Sequence, residues 1–552
     1  MFKKRIPVIL SMVILAVILG ACSSSANTEA NTLLASNAAA GSATSEITLT
    51  ESWDFSNGFY PVMTPERSTN YGIMYYAVNF YETLVNYEDG KFTPGLAESW
   101  DISPDGLVYT FHLKDNVTFS DGEALNAEAV KKNLEAIPVL LGSYNGSYGT
   151  TSTLFDKIVA VEPLTVEVHL KNAYYGVLKD LTMINPMAMV SPNAFKEDGT
   201  LDDELQTATL GTGPYMYSGD TDGTTYTFVK NPDYWGKEPE VDQFHVKVIA
   251  DNDAKLLALR SGQVDLIVGA DKISYDAYNE MKAADGYGAI TSDAVSYTRL
   301  LGFNTSQAPF DDLNVRQAAS YGIDKQRLSE SLFSGIEVKA DRVFDQSMPY
   351  TNVELSPYDY DKAKAISLLE QSGWVDHDGD GIREKEGVPL HGSILYTTGS
   401  SLMDDLALAL TSQFKELGMD VKVKGMDRMA YYAETMKNDF TIILNQTYGL
   451  TYDPYTFISN MNASLKVDNF AAQALSLVPD GDQIIESLYS MSDDTKIQET
   501  YDFILKEIHN QAIFLPLSFV KELAVYNSKK INSYSFNGQP TSVDITKVEL
   551  MK

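Results

Sequence analysis

The stretch Asp376-His377-Asp378-Gly379-Asp380-Gly381-Ile382-Arg383-Glu384 has the look of a metal loop: aspartates at alternate positions bring their oxygens together around a glycine turn. A calcium loop of that design closes on a carboxylate at its twelfth position. Here that position is Gly387, with Glu386 one residue early, so the spacing favours a surface turn. The six histidines (His112, His169, His245, His377, His391 and His509) show no i, i+4 pairing. The one cysteine, Cys22, excludes a disulfide or thiolate metal site within the chain. There is no G-x-S-x-G elbow, no phosphate-cradling G-x-x-x-x-G-K-[ST] and no H-E-x-x-H, so the residues point to binding and not to catalysis, with no cofactor. Tyrosine is what the chain has in excess, 33 against 4 tryptophans. A tyrosine offers a ligand a flat apolar face and a polar tip. Two segments concentrate them, residues 142–148 with Tyr144 and Tyr148, and residues 445–455 with Tyr448 and Tyr452. Both are candidate ligand contacts, with plain loop packing as the alternative.

Composition narrows the partners. Lys plus Arg total 42 against 75 Asp plus Glu, a formal charge of −33 over 552 residues. So acidic a body lacks the cationic stripes that hold phosphate backbones or anionic lipid, which argues against a nucleic-acid partner. Solubility is the plain reading of the acidity, and attraction of cationic ligands the other. Hydrophobic residues at 44% and charged residues at 21% describe a folded chain, long enough for two or three domains.

The N-terminus reads as an address. Lys3, Lys4 and Arg5 precede an apolar run over residues 6–19, and Leu19-Gly20-Ala21-Cys22 matches the lipobox of bacterial lipoproteins. The run falls short of the roughly 20 apolar residues that cross a bilayer. The expectation is a signal peptide over residues 1–21, lipidation at Cys22, and a Ser/Ala/Asn-rich flexible tether over residues 22–45. The protein is then extracytoplasmic and held at the cell membrane by its lipid.

Beyond residue 46 strands and helices mix. The pattern predicts a strand at residues 47–49, an aromatic helix over 71–84, a strand at 107–113, a helix over 127–137, and strands at 165–170 and 226–230. A helix over 252–260 ends at Gly262, followed by a strand at 264–268. Residues 393–396, 402–417, 421–424, 428–436 and 441–444 then alternate strand, helix, strand, helix, strand, the order of a parallel sheet with helical crossovers. Ligands of such sheets sit beyond the carboxyl ends of the strands, which puts residues 445–455 at the site.

Longer strings carry a resemblance. Tyr81-Glu82-Thr83-Leu84, Pro94-Gly95-Leu96-Ala97-Glu98-Ser99-Trp100, Phe119-Ser120-Asp121-Gly122, Gly211-Thr212-Gly213-Pro214-Tyr215, Asn231-Pro232-Asp233-Tyr234-Trp235 and Ser261-Gly262-Gln263-Val264-Asp265 occur in that order. With residues 304–323 they make the chain, over about residues 46–530, resemble the extracytoplasmic solute-binding proteins of dipeptide, oligopeptide and nickel ABC importers. Lys171-Asn172-Ala173-Tyr174-Tyr175, Tyr452-Asp453-Pro454 with Phe457, and Phe514-Leu515-Pro516-Leu517-Ser518 are similar to the nickel and metallophore branch. The strings themselves read as scaffold: Gly211 and Gly213 suit backbone conformations closed to other residues, and Trp235 packs a domain edge.

The resemblance implies an α/β fold, a two-lobed periplasmic-binding-protein-like clamp with an extra inserted domain (type II, cluster C). Lobe I would take residues 46–88, 196–304 and 516–552, the inserted domain 89–195, and lobe II 305–515. It implies a small metal chelate or short peptide enclosed between the lobes, and an ABC permease with its ATPase subunits as partners. A sensory or adhesive lipoprotein using the same clamp is the rival reading. By resemblance Tyr452 matches a pocket tyrosine, Tyr448 stands where a tryptophan is usual, and Met74 matches a methionine near the ligand. An expected arginine is replaced by Asn185, and Leu450 stands where peptide binders place an aspartate. Arg299 is then the candidate compensating cation, or a salt bridge at the lobe junction.

Overall fold

The computed structural model describes residues 45–67, 71–88, 90–449, 451–466 and 468–552. The signal peptide, Cys22 and Leu450 lie outside them. Three sheets dominate. The first has seven strands in the order Tyr287–Thr291, Leu523–Asn527, Leu266–Val268, Glu46–Glu51, Gln243–Val248, Thr225–Lys230, Tyr215–Thr221. The second has six, Val338–Lys339, Phe514–Val520, Tyr297–Phe303, Ile442–Gln446, His391–Thr397, Asp420–Met426. The third has four, Ala97–Ile102, Val108–Leu113, Thr165–Leu170, Phe155–Glu162, with the helix Ala127–Leu141 packed on it.

In the six-stranded sheet His391–Thr397 runs parallel to both Asp420–Met426 and Ile442–Gln446. The helices Ser401–Glu416 and Arg428–Lys437 make the crossovers that the alternating pattern requires. The helix Asn252–Arg260 begins at Asp251, whose side chain accepts from the Ala254 amide, and Gly262 adopts a φ of +75° just past its end.

Residues 71–84 do not form one long helix. The α-helix is Tyr71–Tyr76, followed by a 3-10 turn, Ala77–Asn79. Asn79 explains the break: its buried Nδ2 donates to the Tyr76 carbonyl (2.9 Å) and to the Val543 carbonyl (2.7 Å), taking an acceptor that a continuing helix would use. Gly211 and Gly213 are needed for space and not for φ. A Cβ on Gly211 would sit 2.1 Å from the Phe80 carbonyl oxygen, and one on Gly213 2.6 Å from the Phe80 carbonyl carbon.

Four of the recognisable strings meet around one carboxylate. Glu82 accepts from Thr212 Oγ1 (2.7 Å), Trp235 Nε1 (2.8 Å) and the Tyr234 hydroxyl (3.3 Å). Three distant segments are thereby tied, and burial pushes the Glu82 carboxyl up to about 7 against those donors. Lys114 lies over the Trp235 ring at 4.2 Å and donates to the Gly95 carbonyl (2.5 Å), adding the Pro94-Gly95 string to the knot.

Chain passes between the two large sheets twice, at residues 292–296 and 521–522. These crossings are bonded to each other: the Ser292 amide donates to the Glu522 carbonyl (2.9 Å), the Glu522 amide to Ser292 Oγ (3.0 Å), and the Ser296 amide to the Val520 carbonyl (2.7 Å). Tyr297–Phe303 and Phe514–Val520 therefore pair inside the second sheet. The sequence boundaries at 304 and 515 give residues 297–303 and 516–520 to lobe I, whereas both strands belong to the six-stranded sheet, because each crossing falls a few residues outside the 305–515 span.

Candidate ligand-binding site

The loop after Ile442–Gln446 begins at the carboxyl end of a parallel strand, where ligands of such sheets bind. Asp453 organises it, accepting from the amides of Tyr448 (3.1 Å) and Gly449 (3.0 Å). The loop is pinned to its neighbour strand by the Thr447 amide on the Thr298 carbonyl (3.0 Å) and the Thr298 amide on Thr447 Oγ1 (3.1 Å). Burial raises the Asp453 carboxyl to about 7, and the positive charge of Lys179 works against that rise. Lys179, buried over the Tyr87 ring at 4.1 Å, is itself pulled down to about 8 by desolvation, with Asp180 and Asp453 opposing.

The loop's tyrosines diverge. Tyr452 is half-buried, and its ring stands 6.3 Å from Tyr148, which in turn meets Tyr144 edge-on at 6.3 Å. Burial pushes the Tyr452 phenol up to about 12, and the Asn185 side chain draws it back. Asn185 is buried, and its Oδ1 accepts from the Met63 amide (2.9 Å). Its Nδ2 faces the same phenol without a hydrogen bond of regular geometry. Tyr144, Tyr148, Tyr452 and Asn185 thus form one group, drawn from residues 144–185 and from the loop that follows the strand Ile442–Gln446. Gly149 permits it: φ is +94°, and a Cβ there would stand 2.7 Å from both Asp180 Cγ and Met183 Cε.

The other three candidates sit elsewhere. Tyr448 turns into the second lobe, where its hydroxyl donates to Asp468 Oδ2 (2.5 Å), accepts from Asn460 Nδ2 (3.1 Å) and its ring packs on Phe457 at 4.8 Å. Met74 is half-buried on the helix Tyr71–Tyr76, against the core of the first lobe. Arg299 is buried in an ion pair. Its Nε donates to both Glu337 oxygens (2.9 and 3.1 Å), and the same carboxylate accepts from the Tyr275 and Ser518 hydroxyls. Of the two sequence readings of Arg299, the geometry realises the salt bridge. Its Nη1 still reaches Met403 Sδ at 3.3 Å.

Asp376, Asp378 and Glu384 do bring carboxylate oxygens within 4.8 Å of one another. The loop's own amides engage them: Gly379 (2.7 Å) and Gly381 (3.1 Å) donate to Asp376, and His377 (2.8 Å) to Glu384. This is the geometry of a self-satisfied surface turn.

The model of the bacterial extracellular solute-binding proteins, family 5 Middle, matches residues 91–469. The chain belongs to the family 5 solute-binding proteins. The nickel-binding periplasmic protein of Escherichia coli K12 is 33% identical over 450 residues, covering 81% of this chain and 84% of that protein. Among solved structures, NikA from Brucella suis in complex with Fe(III)-EDTA superposes with a TM-score of 0.84 at 31% identity, over 91% of this chain and all of that one. The oligopeptide-binding protein AppA from Bacillus subtilis, with a nonapeptide, superposes with a TM-score of 0.72 at 19% identity, over 92% of this chain and all of that one. The architecture is the α/β two-lobed clamp of this family. Members of the family are extracytoplasmic binding proteins of transporters. Among the described residues no helix is long and apolar enough to cross a membrane.

Sequence reasoning missed the cluster in which the Tyr175 ring stacks on Tyr455 at 5.1 Å and meets Tyr350 and Tyr501 edge-on. The paired tyrosines at 174 and 175 were the signal available for them.

Proposed function

We propose that this chain is a lipid-anchored receptor of an ABC importer. It captures a small metal chelate of the nickel type between its lobes and hands it to a membrane permease driven by ATPase subunits. In this reading residues 89–195 act as the inserted domain, and the lobes turn about the crossings at 292–296 and 521–522.

The observation that carries the reading is the facing of Tyr148 and Tyr452 across the clamp, with the Asn185 amide beside them. Two phenol rings and an amide suit a compact, flat-faced ligand with few formal charges. The buried cation Arg299 already has its carboxylate, so little positive charge remains there for a polyanion. A short peptide is the second reading. It is favoured by a relative of 33% identity over 304 residues, the glutathione-binding protein of Pectobacterium atrosepticum, which spans 54% of this chain and 56% of that protein.

The test is native mass spectrometry of the purified protein, followed by titration calorimetry with nickel(II)–L-histidine, Fe(III)-EDTA and tri- to pentapeptides. Tight binding of the histidine complex supports the chelate reading. Peptide binding without chelate binding moves the protein to the second. Turnover of any peptide would overturn both.

A further inference from the structure

A second set of tyrosines joins the halves of the clamp away from the ligand group. Tyr174 and Tyr175 follow the strand Thr165–Leu170 of the four-stranded sheet, whereas Tyr501 lies in the core of the second lobe, Tyr350 and Tyr489 pack against that core, and Tyr455 opens the helix Tyr455–Ser459. Helical periodicity delivers Tyr501: Asp494–Asn510 buries Ile497, Tyr501, Ile504, Leu505 and Ile508 along one stripe. The Tyr175 hydroxyl lies 2.7 Å from that of Tyr501. Its ring stacks on Tyr455 at 5.1 Å and meets Tyr350 edge-on at 5.9 Å. Tyr175 and Tyr489 pack against the hydrophobic cores of both halves.

Two properties set this seam apart from a permanent core. Its rings are phenols, so separating them gives each hydroxyl to water and strands no polar group, where parting aliphatic side chains would only expose them. Its Tyr350 is also held at a φ of +62°, a region that bulky residues rarely occupy. The Tyr350 hydroxyl donates to Asp494 Oδ1 (2.8 Å) and its carbonyl accepts from Gln498 Nε2 (3.1 Å), contacts that keep it there. Strain of this kind, held in place by neighbouring contacts, is found at ligand clamps and switch segments among other places.

We propose that the seam is a ligand-independent latch that sets the balance between open and closed clamp. Ligand affinity then scales with the closed fraction the latch supplies, although none of its residues belongs to the ligand group. The latch makes no contact with ligand, so its strength is independent of the identity of the cargo.

The test needs no cargo either. In the full chain carrying Cys22→Ser, spin labels at Lys157→Cys and Glu499→Cys report the distance between exposed sites on the two halves. Without ligand the parent should show a closed, short-distance population. Tyr175→Ala should cut that population about tenfold, and Tyr501→Phe, which removes one hydroxyl, about threefold. A parent with only the long distance overturns the latch, as do variants that fold and keep the parent distribution. If Tyr175→Ala fails to fold, Tyr501→Phe decides alone: a reduced closed population supports the latch, and an unchanged one overturns it.

Discussion

Glu82 in the first lobe and the Tyr148–Tyr452–Asn185 group between the lobes are both polar clusters joining distant segments, and they are built oppositely. Glu82 is satisfied on every side, by Thr212, Tyr234 and Trp235. In the tyrosine group the rings are half-buried, and the Asn185 Nδ2 lacks a regular partner although Asn185 itself is buried. A buried polar atom left without a partner costs on the order of 1–3 kcal/mol. The two clusters therefore differ in exposure and in how fully their polar atoms are paired. The contrast predicts that scaffold carboxylates govern stability and that the tyrosine group governs binding.

The largest effect should come from Arg299→Ala. It leaves Glu337 buried with only the Tyr275 and Ser518 hydroxyls, and breaking a buried pair from one side costs about 3–5 kcal/mol. Urea unfolding should show that loss, with ligand affinity at low temperature changed less than threefold. A hundredfold loss of affinity with stability intact would return Arg299 to the ligand group and erase the contrast.

Next comes the pH response of Glu82, whose carboxyl is raised from 4.5 to about 7 by burial. Between those values the folded state keeps a proton that the unfolded state has lost. The associated stability is therefore complete below about pH 4.5 and disappears as pH rises through 7. Unfolding free energies of the parent, minus those of Glu82→Gln, should fall by about 2–3 kcal/mol between pH 4.5 and pH 8. A flat difference would mean that the three donors hold the carboxylate ionised in the fold.

On the ligand side, Tyr452→Ala should weaken binding about tenfold to thirtyfold through the lost ring contact, and leave the unfolding midpoint nearly unchanged. Equal damage to stability and affinity would make Tyr452 part of the scaffold.

How much was legible follows the same line. The alternating strands and helices over residues 391–446 are local patterns, and the sheet realises each of them. The strings around Glu82 could be recognised, but their meeting at one carboxylate depends on contacts of up to 153 residues' separation, which no local pattern encodes. The helix expected over 71–84 ended early because Asn79 bonds to Val543, 464 residues away. Tyrosines were the hardest to read. Period and composition mark Tyr448, Tyr452 and Tyr455 alike, yet one faces Phe457, one Tyr148 and one Tyr175. Only the turn around Asp453 decides which is which.

That divergence yields the smallest effect and the sharpest control. Tyr448 and Tyr452 lie four residues apart, and sequence alone gives both to the ligand. The Tyr448 hydroxyl, however, is consumed by Asp468 and Asn460, and its ring by Phe457. Tyr448→Phe keeps the ring and removes one hydrogen-bonded hydroxyl, leaving Asp468 with its role as acceptor for the Phe470 and Ala471 amides. The expected cost is about 1 kcal/mol of stability with no change in affinity, the reverse of Tyr452→Ala. Calorimetric titration beside urea unfolding reads both numbers from one preparation. If Tyr448→Phe instead weakens binding as much as Tyr452→Ala, then the loop turns over on closing around ligand, and the division between held and open polar groups runs through this loop and not around it.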